Sequence, residues 1–218
     1  MALLLCTRQA GKSTVTAALG LYTALTTPGA LVLLIAPALR QSQELFAKMA
    51  QMYRALEGTL PVRRMTALQL ELTNDARVLA LPGNEKTVRG FSGVDLLIID
   101  EASRVEDTLY HSLRPMLAVS GGRLICLTTP FGQRGFFYEE WSEGGDGWHR
   151  IEVPATACPR ISEAFLAEER RAMGDRWFSQ EYGCTFVSAT GSVFRSEDIA
   201  AAFTDTVMPL HLPTYGTS

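Results

Sequence analysis

Short, nearly unbroken apolar runs recur along this chain, and the segments between them carry apolar residues at helical spacing. Leu3–Leu5 and the stretch ALVLLIAP, closed by Pro37, read as buried strands, and DLLIID and RLICLTTP read the same way. Between the first two lies Val15–Leu25, rich in Ala and Leu as a helix is. RQSQELFAKMAQMYRAL sets Leu45, Met49, Met52 and Leu56 on one side of a helix. LQLEL and RVLALP instead alternate apolar and polar positions, which predicts a half-exposed pair of strands. Val105–Leu117 falls between the last two buried runs, where a crossover helix belongs. Later, WHRIEVPA alternates well enough for one strand, with Ile151 and Val153 on its apolar side. SEAFLAEERRAMGDRWFSQEY reads as an amphipathic helix with Ser162 as N-cap and Leu166, Met173 and Trp177 on one face. Its Arg170, Arg171 and Arg176 read as a solvated helix face in preference to a DNA-facing or subunit-facing edge. The alternation predicts an α/β fold, a mostly parallel sheet flanked by helices on both faces.

Sheets of this kind bind ligands at the carboxyl ends of their strands. Three of the runs end there in Cys6–Ser13, Asp100–Glu101 and Thr128–Thr129. Gly11, Lys12 and Ser13 fill the last three places of the phosphate-loop pattern GxxxxGK[ST], with Cys6 where the first Gly is expected. A loop between strand and helix aims backbone N–H groups at one spot, at the positive end of the helix dipole. Arg8, Gln9, Ala10, Gly11, Lys12, Ser13 and Thr14 are therefore the candidate phosphate binders for ATP. Lys12 would reach the β- and γ-phosphates, and the Ser13 hydroxyl would bind Mg²⁺. Four apolar residues carry Asp100 to a strand end, where its carboxylate can share that metal. Glu101, one step on, can orient and deprotonate a water. A hydroxyl of Thr128 or Thr129 can sense the γ-phosphate. Each motif alone also has a plain reading, as a strand-to-helix turn, an acidic strand end or a strand stop. Their pairing in one chain points to a nucleotide site.

Composition narrows the classes. The 218 residues, 47% of them hydrophobic, suffice for one full core. No apolar run is long enough to span a bilayer, and the apolar start lacks the basic flank and cleavage site of a signal peptide. Cys6, Cys126, Cys158 and Cys184 are scattered singly, which points to a reducing cytoplasm rather than a zinc or disulfide framework. His111, His149 and His211 form no ligand pair at helical spacing. With a net charge of −3, any nucleic-acid contact must come from a local basic face.

In this order, CTRQAGKST, VRGFSGVDLLIIDEAS, LTTPFGQRGFFYEEW and QEYGCTFVSATGSVF resemble the large subunit of tailed-phage terminases. The likeness runs from about Leu3 to about Ile199, and the ordered set is far more specific than any one motif. It implies a P-loop ATPase that drives double-stranded viral DNA into procapsids. The partners it implies are a portal protein, a terminase small subunit and further copies of itself in a ring, with no membrane. By this resemblance Arg8 is the basic residue inside the loop, Lys12 the phosphate ligand, Asp100 the metal carboxylate and Glu101 the catalytic base. Thr128 and Thr129 form the coupling motif, and Arg89, in KTVRGFSG, stands where a trans-acting arginine finger is placed.

Departures from the family shape the remaining expectations. Such subunits carry an upstream segment that helps to hold adenine, whereas only Met1 and Ala2 precede the first strand here, so weak discrimination between ATP and GTP is expected. They also carry a C-terminal nuclease domain with clustered acidic metal ligands, whereas Asp205 is the one acidic residue after Ile199, so no nuclease activity is expected. The expected division is an ATPase core over 1–155, a helical linker or lid over 156–203 and a tail over 204–218. Two other readings share the motifs. A helicase is one, since DEAS and TTP resemble helicase boxes, but the 88 residues after Pro130 hold no second strand-helix series of the size such enzymes need. A remnant that is inactive or only binds nucleotide is the other.

Overall fold

Continuous apolar strands with helices between them build a parallel sheet, and the order of the elements follows the chain. They are β1 (Ala2–Cys6), α1 (Lys12–Thr26), β2 (Leu31–Ala36), α2 (Leu39–Ala55), β3 (Val62–Met65), β4 (Gln69–Leu72) and β5 (Arg77–Pro82). Then come α3 (Glu85–Val88), β6 (Leu96–Asp100), α4 (Asp107–Leu113), β7 (Arg123–Thr128), α5 (Phe136–Ser142), β8 (His149–Val153) and α6 (Glu163–Glu181). This computed structural model describes residues 1–56, 60–88, 90–188 and 201–202. Among them, eight strands form one sheet in the order β3-β4-β5-β2-β6-β7-β1-β8. The six strands from β5 to β8 pair in parallel, and β3 and β4 extend the sheet antiparallel beyond β5. Met1–Val187 make one compact unit, and a second unit starts at Ser188.

Both faces of the central strands are covered, which is why β2 is apolar throughout and β6 is apolar up to Asp100. Side chains alternate between the faces. Leu33 and Ile35 join Leu97, Ile99, Leu124 and Cys126 beneath α4 and α5, with Leu109, Tyr110, Phe136 and Phe137 completing that layer. Val32 and Leu34 join Leu96, Ile98 and Leu127 on the other face, beneath Ala17 and Leu21 of α1 and Leu45, Phe46 and Met49 of α2. Gly20 lets α1 and α2 approach, since a Cβ there would lie 2.6 Å from the Met49 methyl.

Several local expectations change. Val62–Met65 forms a strand that its charged centre, Arg63-Arg64, hid from the alternation pattern. The crossover after β6 is broken: 3₁₀ turns at Ala102–Arg104 and Arg114–Leu117 flank the short α4. Pro115 explains the second of these, because it has no N–H to donate back into the α-helical ladder. Ile151 is exposed, since β8 is an edge strand. Ser162 does cap α6, accepting from the Phe165 amide at 3.3 Å. That helix does not present one apolar stripe, however. Gly174 (φ 78°, ψ 161°) kinks it, and Trp177 beyond the kink is 50% exposed. Among the described residues no helix is long and apolar enough to cross a membrane.

Leu34 sits fully buried in the central strand β2. Leu34→Ala removes packed methyl groups where neither face can collapse, so a loss of about 3 kcal/mol is expected in urea denaturation. A change within error of zero would mean that the two layers do not pack against β2 as described.

Candidate functional site

After Cys6 the chain leaves β1 in a tight loop. Thr7 is buried, and its amide donates to the Val153 carbonyl (2.9 Å) and its hydroxyl to the Glu181 carbonyl (3.0 Å). The Arg8 guanidinium pairs with the Glu181 carboxylate and the Arg8 amide donates to the Glu181 carbonyl (3.4 Å), so the end of α6 is tied to the loop three times. Gln9 (φ 63°) and Gly11 (φ 87°) both take left-handed backbone, and together they turn the chain into α1. The Gly11 carbonyl then accepts from Thr14 and Val15 (2.9 and 3.1 Å), closing the first turn. No side chain caps this helix and no acidic residue lies in its first turn. Its positive end is therefore left to an anion.

The sheet delivers the other groups to the same edge. Asp100, the last residue of β6, is only 7% exposed, and its Oδ2 accepts from Ser13 Oγ at 3.0 Å across 87 residues of chain. Its Oδ1 accepts the Glu101 amide at 2.9 Å. Glu101 itself takes left-handed backbone (φ 51°) and holds its carboxylate between two cations. Lys12 Nζ lies 3.7 Å from Oε1 and Arg104 Nε 3.8 Å from Oε2. The Arg104 guanidinium in turn lies 3.9 Å over the Phe131 ring.

Thr128 and Thr129 end β7, both buried. Thr128 Oγ1 accepts from the Ser103 amide at 3.3 Å and lies 2.6 Å from Ser103 Oγ. Both hydroxyls reach the Thr129 carbonyl, at 2.8 and 2.9 Å. Ser103 therefore links the turn after Asp100 to the end of β7. Sequence reasoning passed over it, and also over Arg104, Arg160 and Glu181, because nothing in their spacing marks them. The Ser of DEAS was the one available hint.

Of the candidate residues, Arg8, Gln9, Ala10, Gly11, Lys12, Ser13 and Thr14 form the loop and first turn, Asp100 and Glu101 face them, and Thr128 and Thr129 lie behind Glu101's turn. Arg89 lies outside the described residues. Cys6, in the first-Gly place, is a packing residue and not a nucleophile: burial pushes its thiol up to about 11, with Lys12 opposing only in part. Burial likewise pushes Cys184 up to about 12.

A hydroxyl beside one buried carboxylate suits a hard divalent cation that keeps waters and takes phosphate oxygens. No group of three or more His, Cys, Asp or Glu among the described residues is arranged to hold a metal by itself. The donor set thus fits Mg²⁺ arriving with a nucleotide better than a resident ion.

The family model for the N-terminal part of T4-like-virus-type terminase large subunits matches residues 3–201. The chain belongs to this terminase family. Two curated relatives are the terminase large subunits of Thermus phage G20c and Thermus virus P23-45, 25% and 27% identical over 88% of this chain. The chain spans 47% of the length of each. Among solved structures, the large terminase ATPase domain of Thermus phage P74-26 matches at a TM-score of 0.74 with 20% identity, covering 85% of this chain and 88% of that one. The large terminase of another thermophilic bacteriophage matches at 0.72 with 13% identity, over 90% of this chain and 51% of its own. These likenesses establish the terminase ATPase-domain fold.

The raised Cys6 thiol of this terminase chain gives a pH dependence with a definite sign. Between about pH 9 and about 11 the unfolded thiol ionises while the folded one keeps its proton, so its contribution is whole below pH 9 and falls as pH rises to 11. Urea denaturation at pH 8 and pH 10.5 is expected to show a smaller alkaline loss for Cys6→Ala than for the parent chain. Equal slopes would place the thiol in water.

Proposed function

We propose that this chain is the ATP-hydrolysing motor domain of a terminase large subunit, driving double-stranded viral DNA into procapsids in the host cytoplasm. On this reading it works as a ring with a portal protein and a terminase small subunit. The observation that carries the reading is the Ser13–Asp100 hydrogen bond at 3.0 Å, with Lys12 and Glu101 beside it. It is supported by the large terminase of the second thermophilic bacteriophage, a protein of the same fold that has been solved with ADP and with ATP-γ-S.

The geometry supports the following roles. The open amides at the start of α1 and the Lys12 ammonium take the β- and γ-phosphates. Ser13 and Asp100 would hold Mg²⁺, which when bound would supply positive charge beside the phosphate oxygens. Glu101 orients the attacking water and accepts its proton. Its Oε1 becomes available for this once phosphate charge draws Lys12 away. Ser103, Thr128 and Thr129 then carry any shift of the Glu101 turn into β7. Arg89 is assigned the trans finger by the family resemblance.

Lys12 and Glu101 should fail differently. Lys12→Ala is expected to lose Mg-ATP binding and hydrolysis together, whereas Glu101→Gln binds ATP and loses most turnover. Equal loss of binding in both, by calorimetry, would count against these roles.

Arg89 is tested by mixing. Arg89→Ala and Glu101→Gln are each expected to be inactive alone. Mixed subunits pair an intact finger with an intact base, and fingers of this kind are worth ~10³–10⁵ in turnover. Return of activity on mixing is therefore the expected outcome. If mixing restores nothing while the parent chain gains turnover with concentration, the finger is not Arg89, and Arg8 acting within one subunit takes its place.

A further inference from the structure

Glu101 has a cation beside each carboxylate oxygen, and the two differ in what substrate does to them. Lys12 Nζ, 3.7 Å from Oε1, belongs to the phosphate loop and is the cation a polyphosphate takes. Arg104 Nε lies 3.8 Å from Oε2, on the turn that follows the base. The backbone of that turn is closed by the Arg104 amide, which donates to the Glu101 carbonyl at 2.9 Å. Of the two cations, Arg104 alone stays on the carboxylate once Lys12 has gone to phosphate.

Arg104 is not walled in. Its side chain is 39% exposed, and open clefts of about 400 and about 500 Å³ both border it. A long side chain beside such space has room to swing away, and ordering it costs entropy. Phe131 opposes this. The guanidinium carbon lies 3.9 Å from the centre of its ring, inside the roughly 6 Å at which a cation is drawn to an aromatic face. The ring belongs to the segment that leaves β7 after Thr128 and Thr129. Ser103, the residue before Arg104, is joined to the same segment through Thr128 Oγ1 (2.6 Å) and the Thr129 carbonyl (2.9 Å). Two successive residues beyond the base are thus fastened to the end of β7, one by its hydroxyl and one by a ring.

We propose that Arg104 is a positioning residue for hydrolysis: clamped on Phe131, it aims the Glu101 carboxylate at the attacking water after Lys12 has turned to phosphate. The proposal rests on reading Glu101 as the base, and it adds the residues that aim it. Arg104 acts through Glu101 and not on the nucleotide, so it bears on turnover and not on affinity. An ion pair this exposed adds little to stability, so its loss is not felt in folding either. Misaiming is costly, because a displacement of about 1 Å lowers turnover by on the order of a hundredfold.

The test is single-turnover ATP hydrolysis by the full chain, with Mg-ATP affinity from calorimetry and urea unfolding on the same preparations. Arg104→Ala is expected to slow hydrolysis by about tenfold to a hundredfold and to leave affinity and the urea midpoint unchanged. Arg104→Lys keeps the charge without the planar stack, so it restores part of the loss. Phe131→Ala should slow hydrolysis by about fivefold, as for one cation–π contact at an exposed site, and Phe131→Tyr should restore it. The decisive variant adds Arg104→Ala to Glu101→Gln. With the base already removed, no further slowing is expected. Additional loss there overturns the proposal, since Arg104 would then act on the phosphate or on the fold. Unchanged hydrolysis in Arg104→Ala overturns it as well, and so does weaker ATP binding in step with the slowing. Full turnover in Glu101→Gln, or none in the parent chain, removes the reading of Glu101 as the base, and the positioning role falls with it.

Discussion

The Ser13 hydroxyl meets the Asp100 carboxylate because β1, β7 and β6 run parallel and end together at one edge. Leu5 is opposite Thr128, and Asp100 is opposite Leu127. The chain therefore leaves β1 and β6 within about two residues of the same level. Adjacent strands lie about 4.8 Å apart, so β6 stands about 10 Å from β1. That gap is the span a loop and one helical turn can cross, and it sets Ser13 over Asp100. A one-residue slip of β6 on β7 would turn Asp100 to the other face of the sheet, and a slip of β1 on β7 would do the same to the residues that lead into the loop. The apolar layers beneath the helices, far from any polar chemistry, hold that register.

Around this contact the backbone is held in conformations that side chains ordinarily resist. Gln9 and Glu101 both sit in the left-handed region, at φ 63° and 51°. Conformations of that kind cost of order 1 kcal/mol or more and persist only where the surroundings fix them. At Glu101 the fixing comes from Asp100 Oδ1 on its amide and from the two flanking cations on its carboxylate. At Gln9 it comes from Arg160 on the carbonyl, with Thr7 and Arg8 tied to Glu181 just before it. Of the four non-glycine residues with left-handed backbone among the described residues, Gln9 and Glu101 face the candidate phosphate site, while Asp75 and Cys184 lie outside it. The supports of Gln9 and Glu101 come from α6 and the turn after β6, so movement of either element would be felt at the loop.

The buried strands and the loop were legible in the sequence because their signals are local: unbroken apolar runs, a Gly-Lys-Ser, an acid pair at a strand end. β3 was missed because Arg63 and Arg64 face solvent on an outer strand, where no apolar pattern is required. Trp177 misled for a related reason. Helical spacing assigned it a face, but Gly174 breaks the helix between it and Leu166. Arg160 and Glu181 could not be found at all, and Ser103 had only its place in DEAS to mark it. Each is an ordinary polar residue whose meaning comes from a partner brought near by the sheet, 25 residues away for Ser103–Thr128 and 151 for Arg160–Gln9.

Charge at the site is balanced locally, and this orders the events. Lys12 and Arg104 share Glu101, Arg8 has Glu181, and Asp100 lies beside them against Ser13, so these three cations face three carboxylates. A polyphosphate arriving at the loop competes first for Lys12, whose side chain is the least exposed of the three cations at 11%. Interactions between charges strengthen as water is excluded, so this exchange is strongest at the most buried cation. Once Lys12 turns to phosphate, Glu101 keeps Arg104 on one oxygen and has the other free for a water. The residue that would act as base is thereby withheld until the substrate's charge is in place. On the proposed roles, one ammonium would couple nucleotide binding to release of the base.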